Sequence, residues 1–89
     1  MARYYFDVLN GKQFERDGEG FEFDNLDAAE QAAARLAAEI GTDRLARSDT
    51  SHVVIEVRDE QHQRVCTVTA SMIIDRHDKL PRTYHPWSA

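Results

Sequence analysis

The residues able to act as ligands or nucleophiles are few and scattered. They are His52, His62, His77 and His85, a single cysteine at Cys66, and an acidic run of Glu15, Asp17, Glu19, Glu22, Asp24, Asp27 and Glu30. A structural zinc site takes four N or S ligands at clustered spacing. No two of these histidines fall at i, i+4 on a helix, and Cys66 has no second cysteine to join it. His52 with Cys66 is the one seed for a metal or thiol site, and strand alternation puts the two on opposite faces. A thiol nucleophile also needs a base within hydrogen-bond reach. Cys66 reads instead as a core strand residue, where a thiol is inert. The acidic run could attract Ca²⁺, but Asp17-Gly18-Glu19-Gly20 lacks the ligand order of a calcium loop with its closing Glu. Gly18 and Gly20 do not form a phosphate loop, because no Lys-Ser/Thr follows them and the surrounding charge is negative. A solvated acidic edge leading into a helix N-terminus accounts for the run, and an electrostatic dock for a basic partner is the other use for it. These patterns imply a non-enzymatic protein with no catalytic residue, no cofactor and no metal.

Charge and length narrow the classes further. The 89 residues suit one domain with a modest core and little room for a deep enclosed site. Hydrophobic content of 42% with 30% charged residues fits a soluble globular chain. Sixteen acidic residues against eleven basic ones give a net charge of −5. That argues against nucleic acid as the main partner, because phosphate binding relies on many Lys/Arg contacts. No apolar run reaches the roughly 20 residues of a membrane helix. The N-terminal stretch has no long apolar core and no cleavage pattern of a signal peptide. With one cysteine and no such signals, a cytoplasmic location is expected.

The element that must position everything else is Leu26–Ile40. Leu26, Ala29, Ala33, Leu36, Ala37 and Ile40 recur at helical spacing and form one narrow, Ala-rich face. Such a face lets a helix lie close against something flat. Asp24 or Asn25 is the expected N-cap. Gly41-Thr42 weakens or ends the helix, with a less regular continuation to Arg47. Ser48 to Ser51 is expected as a loop. Before the helix, Arg3–Leu9 reads as a strand with Tyr4, Phe6 and Val8 toward the helix and Tyr5, Asp7 and Leu9 away from it, Asp7 near water. Asn10-Gly11 signals a hairpin. A two-residue loop would pair Val8 with Gln13. A three-residue loop would pair Val8 with Phe14, and is preferred because it keeps Phe14 in the core. Asp17–Gly20 interrupts the returning strand, and Phe21-Glu22-Phe23 resumes it. After the helix, His52–Asp59 and Arg64–Ala70 form a hairpin in which any loop centred on Gln61 and His62 pairs Val57 with Cys66 and Ile55 with Val68. Met72, Ile73 and Ile74 follow as a short apolar cap.

The expected fold class is therefore α+β. It is a ββαββ chain with a four-stranded antiparallel sheet in the order 2-1-3-4, because a right-handed crossover puts the third strand beside the first. One helix covers one face. Residues 1–74 form the domain, and 75–89 form a loosely ordered C-terminal tail.

Several stretches are familiar. Arg3-Tyr4-Tyr5-Phe6, Asp17 with Gly20 ahead of an apolar pair, Leu26-Asp27-Ala28-Ala29, and Ile55-Glu56-Val57-Arg58-Asp59-Glu60 together resemble a family of short bacterial proteins catalogued as a domain of unknown function. The resemblance spans roughly residues 2–70. It implies one compact domain and supplies no activity or ligand. A weaker likeness is to small antitoxin domains of the HicB type, which also place a helix after an acidic, Gly-containing strand. This chain departs from them in having two strands after the helix and no DNA-binding extension.

One helix cannot cover both faces of a four-stranded sheet. The open face is expected to carry Tyr5, Leu9, His52, Val54 and Arg58, with Glu56, Arg64 and Thr67 beside them. Tyr84 and Trp87 in the tail are large apolar groups with nothing local to pack on. These seven residues, Tyr5, Leu9, His52, Val54, Arg58, Tyr84 and Trp87, form the expected interaction surface. The expected function is protein–protein contact, as a homodimer or with a partner protein. An antitoxin-like regulatory module that binds a toxin or nucleic acid is the alternative.

Overall fold

A computed structural model describes residues 1–77. Helix α1, Leu26–Ser48, packs on an antiparallel sheet of β1 (Ala2–Asn10), β2 (Gln13–Glu15), β3 (Phe21–Phe23), β4 (Thr50–Arg58) and β5 (Arg64–Ile73). The order is β2-β1-β4-β5, with β3 also pairing β1. β2 and β3 are the two halves of the interrupted returning strand, so the expected order 2-1-3-4 holds. The second hairpin has the expected register, with Val57 opposite Cys66 and Ile55 opposite Val68.

The helix runs straight through Gly41-Thr42 rather than weakening there. Its buried residues are Ala29, Ala33, Ala37 and Gly41, an i, i+4 track of small side chains. That track permits the close approach that the Ala-rich face implied. A Cβ on Gly41 would lie 2.5 Å from Met72 Cε and 3.0 Å from Ser51 Oγ, so the helix crosses β4 and β5 with no room to spare. Leu36 and Ile40 are only half-buried at the margin of the core. Asn25 is the N-cap, its Oδ1 accepting from Ala28 N at 2.8 Å. Asp49 ends the helix in the left-handed conformation (φ 63°), and its N–H reaches Leu45 O. Thr50 enters β4 at once, so the expected loop at 48–51 shrinks to one residue.

The core joins Phe6, Val53, Ile55 and Val57 to the three helix alanines. Tyr4, Val8, Phe23, Cys66, Val68 and Ala70 pack around them, and Phe6 stacks on Phe23 at 5.7 Å. Tyr4, Phe6 and Val8 thus face the helix, as alternation implied.

The first hairpin has neither weighed register. Val8 pairs with Glu15, Leu9 with Phe14 and Asn10 with Gln13, so Gly11-Lys12 forms the turn. Cross-strand partners share a face. Phe14 therefore sits beside Leu9 on the open side, not in the core. The Asn-Gly signal located the turn, but Gly11 takes its first position (φ 64°) rather than its second. β5 extends through Met72 and Ile73, and Ile74 N–H still reaches Asp49 O at 2.7 Å. Arg76 then grips Asp49 with both guanidinium Nη atoms at 2.6 and 2.7 Å. Tyr84 and Trp87 lie outside the described residues.

Candidate functional site

The sheet face away from α1 is the candidate site, and its deepest feature is an ion pair. Arg58 Nε donates to Asp7 Oδ2 at 2.6 Å, and Arg58 Nη2 to Asp7 Oδ1 at 2.9 Å. Both side chains are less than a tenth exposed. Asp7, expected near water, is thus buried. The reason is diagonal placement. Arg58 pairs with Tyr5, and Asp7 stands two residues along β1, within reach of a long side chain. The planar fork of Arg then meets a carboxylate in two parallel bonds.

The interruption between β2 and β3 closes over this pair. Arg58 Nη2 also donates to Asp17 O at 2.9 Å, and Asp17 N–H donates to Asp7 Oδ1 at 3.0 Å. Asp17 in turn replaces a missing strand. Asn10, Val8, Tyr4 and Ala2 of β1 face partners in β2 or β3, while Phe6 falls in the gap between them. Phe6 N–H donates to Asp17 Oδ2 at 3.0 Å, and Asp17 Oδ1 accepts from Glu19 N–H at 3.0 Å and Gly20 N–H at 2.9 Å. Gly20 is required here: φ is +73°, and a Cβ would come within 2.9 Å of Tyr4 O.

The electrostatics follow from these bonds. The Arg58 hydrogen bonds hold the Asp7 carboxyl below its ordinary range, outweighing the opposing effect of burial. Burial pushes Asp17 up, but backbone N–H donors from Gly20, Phe6 and Glu19 together bring it below its ordinary value. The hydrogen bond to Asp7 raises Arg58, so its charge is fixed. Arg58 also lies 5.0 Å from the centre of the Tyr5 ring and donates from Nη1 to His62 Nδ1 at 2.7 Å. A guanidinium cannot accept, so that nitrogen of His62 is the acceptor and the ring carries its proton on Nε2. His62 also packs on Tyr5 at 5.6 Å. With Nε, Nη1 and Nη2 all engaged, Arg58 is structural and does not offer a free cation to a ligand.

Outside this plug the face is laid out in rows. His52 Nδ1 and Ser71 Oγ share a hydrogen bond at 2.7 Å, and Thr67 Oγ1 donates to Glu56 Oε2 at 2.7 Å. Leu9, 40% exposed, pairs with Phe14, 60% exposed, and Val54 is the cross-strand partner of Leu9. The structure therefore brings Tyr5, Leu9, His52, Val54 and Arg58 onto one face. Arg58 is at the bottom of that face, not on its surface. Phe14 and His62 were missed in the sequence. Phe14 was lost to the wrong register, and His62 is turned under Tyr5 by a tight turn in which it takes φ 63°.

Cys66 faces the helix, away from His52. Burial and the Glu30 carboxylate push its thiol up, which suppresses the thiolate. Among the described residues, no three His, Cys, Asp or Glu are grouped to hold a metal ion. On the helix side, α1 lies chiefly over β4 and β5. Two adjoining hollows of about 270 and 310 Å³ remain beside β1 and β2, both lined by Val8, Glu15 and Leu36.

A family model for a domain of unknown function, DUF6894, matches residues 3–71. The chain belongs to that family. The match spans nearly all of β1 through β5, with α1 between them. No curated protein and no solved structure matches the chain.

Proposed function

We propose that this domain works by protein–protein contact, as a homodimer or with a partner protein, through the side of the sheet that α1 leaves bare. The carrying observation is that Leu9 and Phe14 form an exposed apolar pair there, with Val54 opposite Leu9. Exposed aromatic and aliphatic groups on a rigid sheet are typical of contact surfaces. The Asp7–Arg58 pair beneath them fixes the strands without presenting charge. Net charge of −5 disfavours a phosphate backbone as the partner. The absence of a helix long and apolar enough to cross a membrane among the described residues fits a partner met in water, and a lone cysteine suits the cytoplasm. No described feature favours the antitoxin-like alternative.

The test pairs a size measurement with chemical cross-linking in source cells. The parent chain should exceed its 10.2 kDa monomer mass or cross-link to one recurring protein. The double variant Leu9→Glu/Phe14→Glu should weaken a contact made through the face while keeping its unfolding midpoint. A parent that is monomeric at about millimolar concentration and cross-links to nothing would end this reading.

A further inference from the structure

The two edges of the sheet differ sharply. One edge is broken into two three-residue strands, and Asp17 occupies the gap. The other is β5, ten residues long, with no strand on its outer side among the described residues. Exposed edges in natural proteins are guarded by Lys, Pro, bulges or short length. β5 has a register shift only near its start, at Val57/Arg58 of the neighbouring strand. From Val65 to Ile74 it carries no charged residue and no Pro, in a chain that is 30% charged.

The ladder fixes which groups are free. Ile74 N–H bonds to Asp49 O. Hydrogen-bonding direction alternates along an antiparallel strand. Met72, Ala70, Val68 and Cys66 therefore point their N–H and C=O toward β4, and Ile73, Ser71, Thr69 and Thr67 point theirs outward. The side chains of that outward set stand on the open face. Two exposed apolar residues lie at the ends of this edge, Val65 at 37% and Ile73 at 69%.

We infer that β5 is a self-pairing edge whose partner is a second copy of this chain, joined antiparallel about a two-fold axis at Thr69. This rests on the reading of contact between proteins above, moves that contact from Leu9 and Phe14 to the edge of the same sheet, and names its partner and register. Centred on Thr69, Thr67 faces Ser71 of the second copy, and Val65 faces Ile73. Every outward N–H and C=O from Thr67 to Ser71 then has a position to pair with. The exposed Val and Ile cover each other, and β-branched residues meet across the axis without opposed charges. An isologous contact of this kind needs a self-complementary edge, and an uncharged one satisfies that with no second patch.

Sedimentation should give twice the monomer mass for the parent. Thr69→Lys sets two like charges opposite each other at the axis and should raise the dissociation constant about a hundredfold. Leu9→Glu/Phe14→Glu, on the face but away from β5, should leave the dimer intact. Thr69→Cys in a Cys66→Ser background should cross-link to itself on mild oxidation, because paired Cα atoms about 5.5 Å apart suit a disulfide. Val65→Cys in the same background should not, because it faces Ile73. Should Thr69→Lys lose its native circular dichroism, the cross-linking pair decides the matter. A monomeric parent overturns the β5 inference, and so does a dimer that survives Thr69→Lys or yields only to Leu9→Glu/Phe14→Glu. In both dimeric cases the broader contact reading stands; it falls only where the parent also finds no partner.

Discussion

At the scale of residues, Asp7 and Arg58 decide how the open face behaves. Removing one member of a buried pair leaves the other charged and unsatisfied, which costs about 3–5 kcal/mol. Arg58→Met should lower the unfolding free energy by that much in urea denaturation. Asp7→Leu combined with Arg58→Met should recover most of it, which a double-mutant cycle would read as strong coupling. The pH dependence has a definite sign. Asp7 and Asp17 both sit below the carboxyl value of 3.8 when folded. Their stabilising contribution is complete above that value and is lost as pH falls through the depressed folded values. Unfolding midpoints should be level from about pH 5 to 7 and fall steeply below about pH 4. Asp7→Asn should flatten that acid limb. Alternation along β1 and β4 places both residues of the pair on the open face. It does not show depth, because the lid over them is made by Asp17, ten residues from Asp7 in sequence.

At the scale of elements, the small-residue track on α1 predicts which substitutions matter. Ala33 is fully buried against the sheet, so Ala33→Leu should cost roughly 1–3 kcal/mol or more through overpacking. Leu36 is only half-buried, so Leu36→Ala should cost about 1–2 kcal/mol, less than a fully buried Leu. Chemical denaturation of the two variants should therefore rank Ala33→Leu as the worse. Gly20→Ala strains a left-handed residue and presses on the Tyr4 carbonyl, and should cost about 1–3 kcal/mol. The helix, its Asn25 cap and the register of the β4–β5 hairpin were all legible from spacing. The β1–β2 register was not, because a one-residue slip moves Phe14 between faces and both turns satisfy the Asn-Gly signal. Gly41 misled as a helix breaker because propensity knows nothing of Met72 and Ser51 pressing from the strands below.

At the scale of the whole molecule, the strand order followed from one rule of handedness, and a face left uncovered by α1 followed from counting one helix against four strands. What the sequence could not convey was the inequality between the sheet's two borders. That depends on which backbone groups a loop happens to satisfy. Asp17 turns the broken border into a dead end, with its carboxylate in the place a neighbouring strand would take. A sheet with two welcoming borders would grow into a filament, each copy recruiting the next. With one border stoppered and the other free among the described residues, the recruitment proposed for β5 would be self-terminating. Asp17→Ala should unstopper it, and light scattering should then show the proposed β5 dimer giving way to open-ended growth.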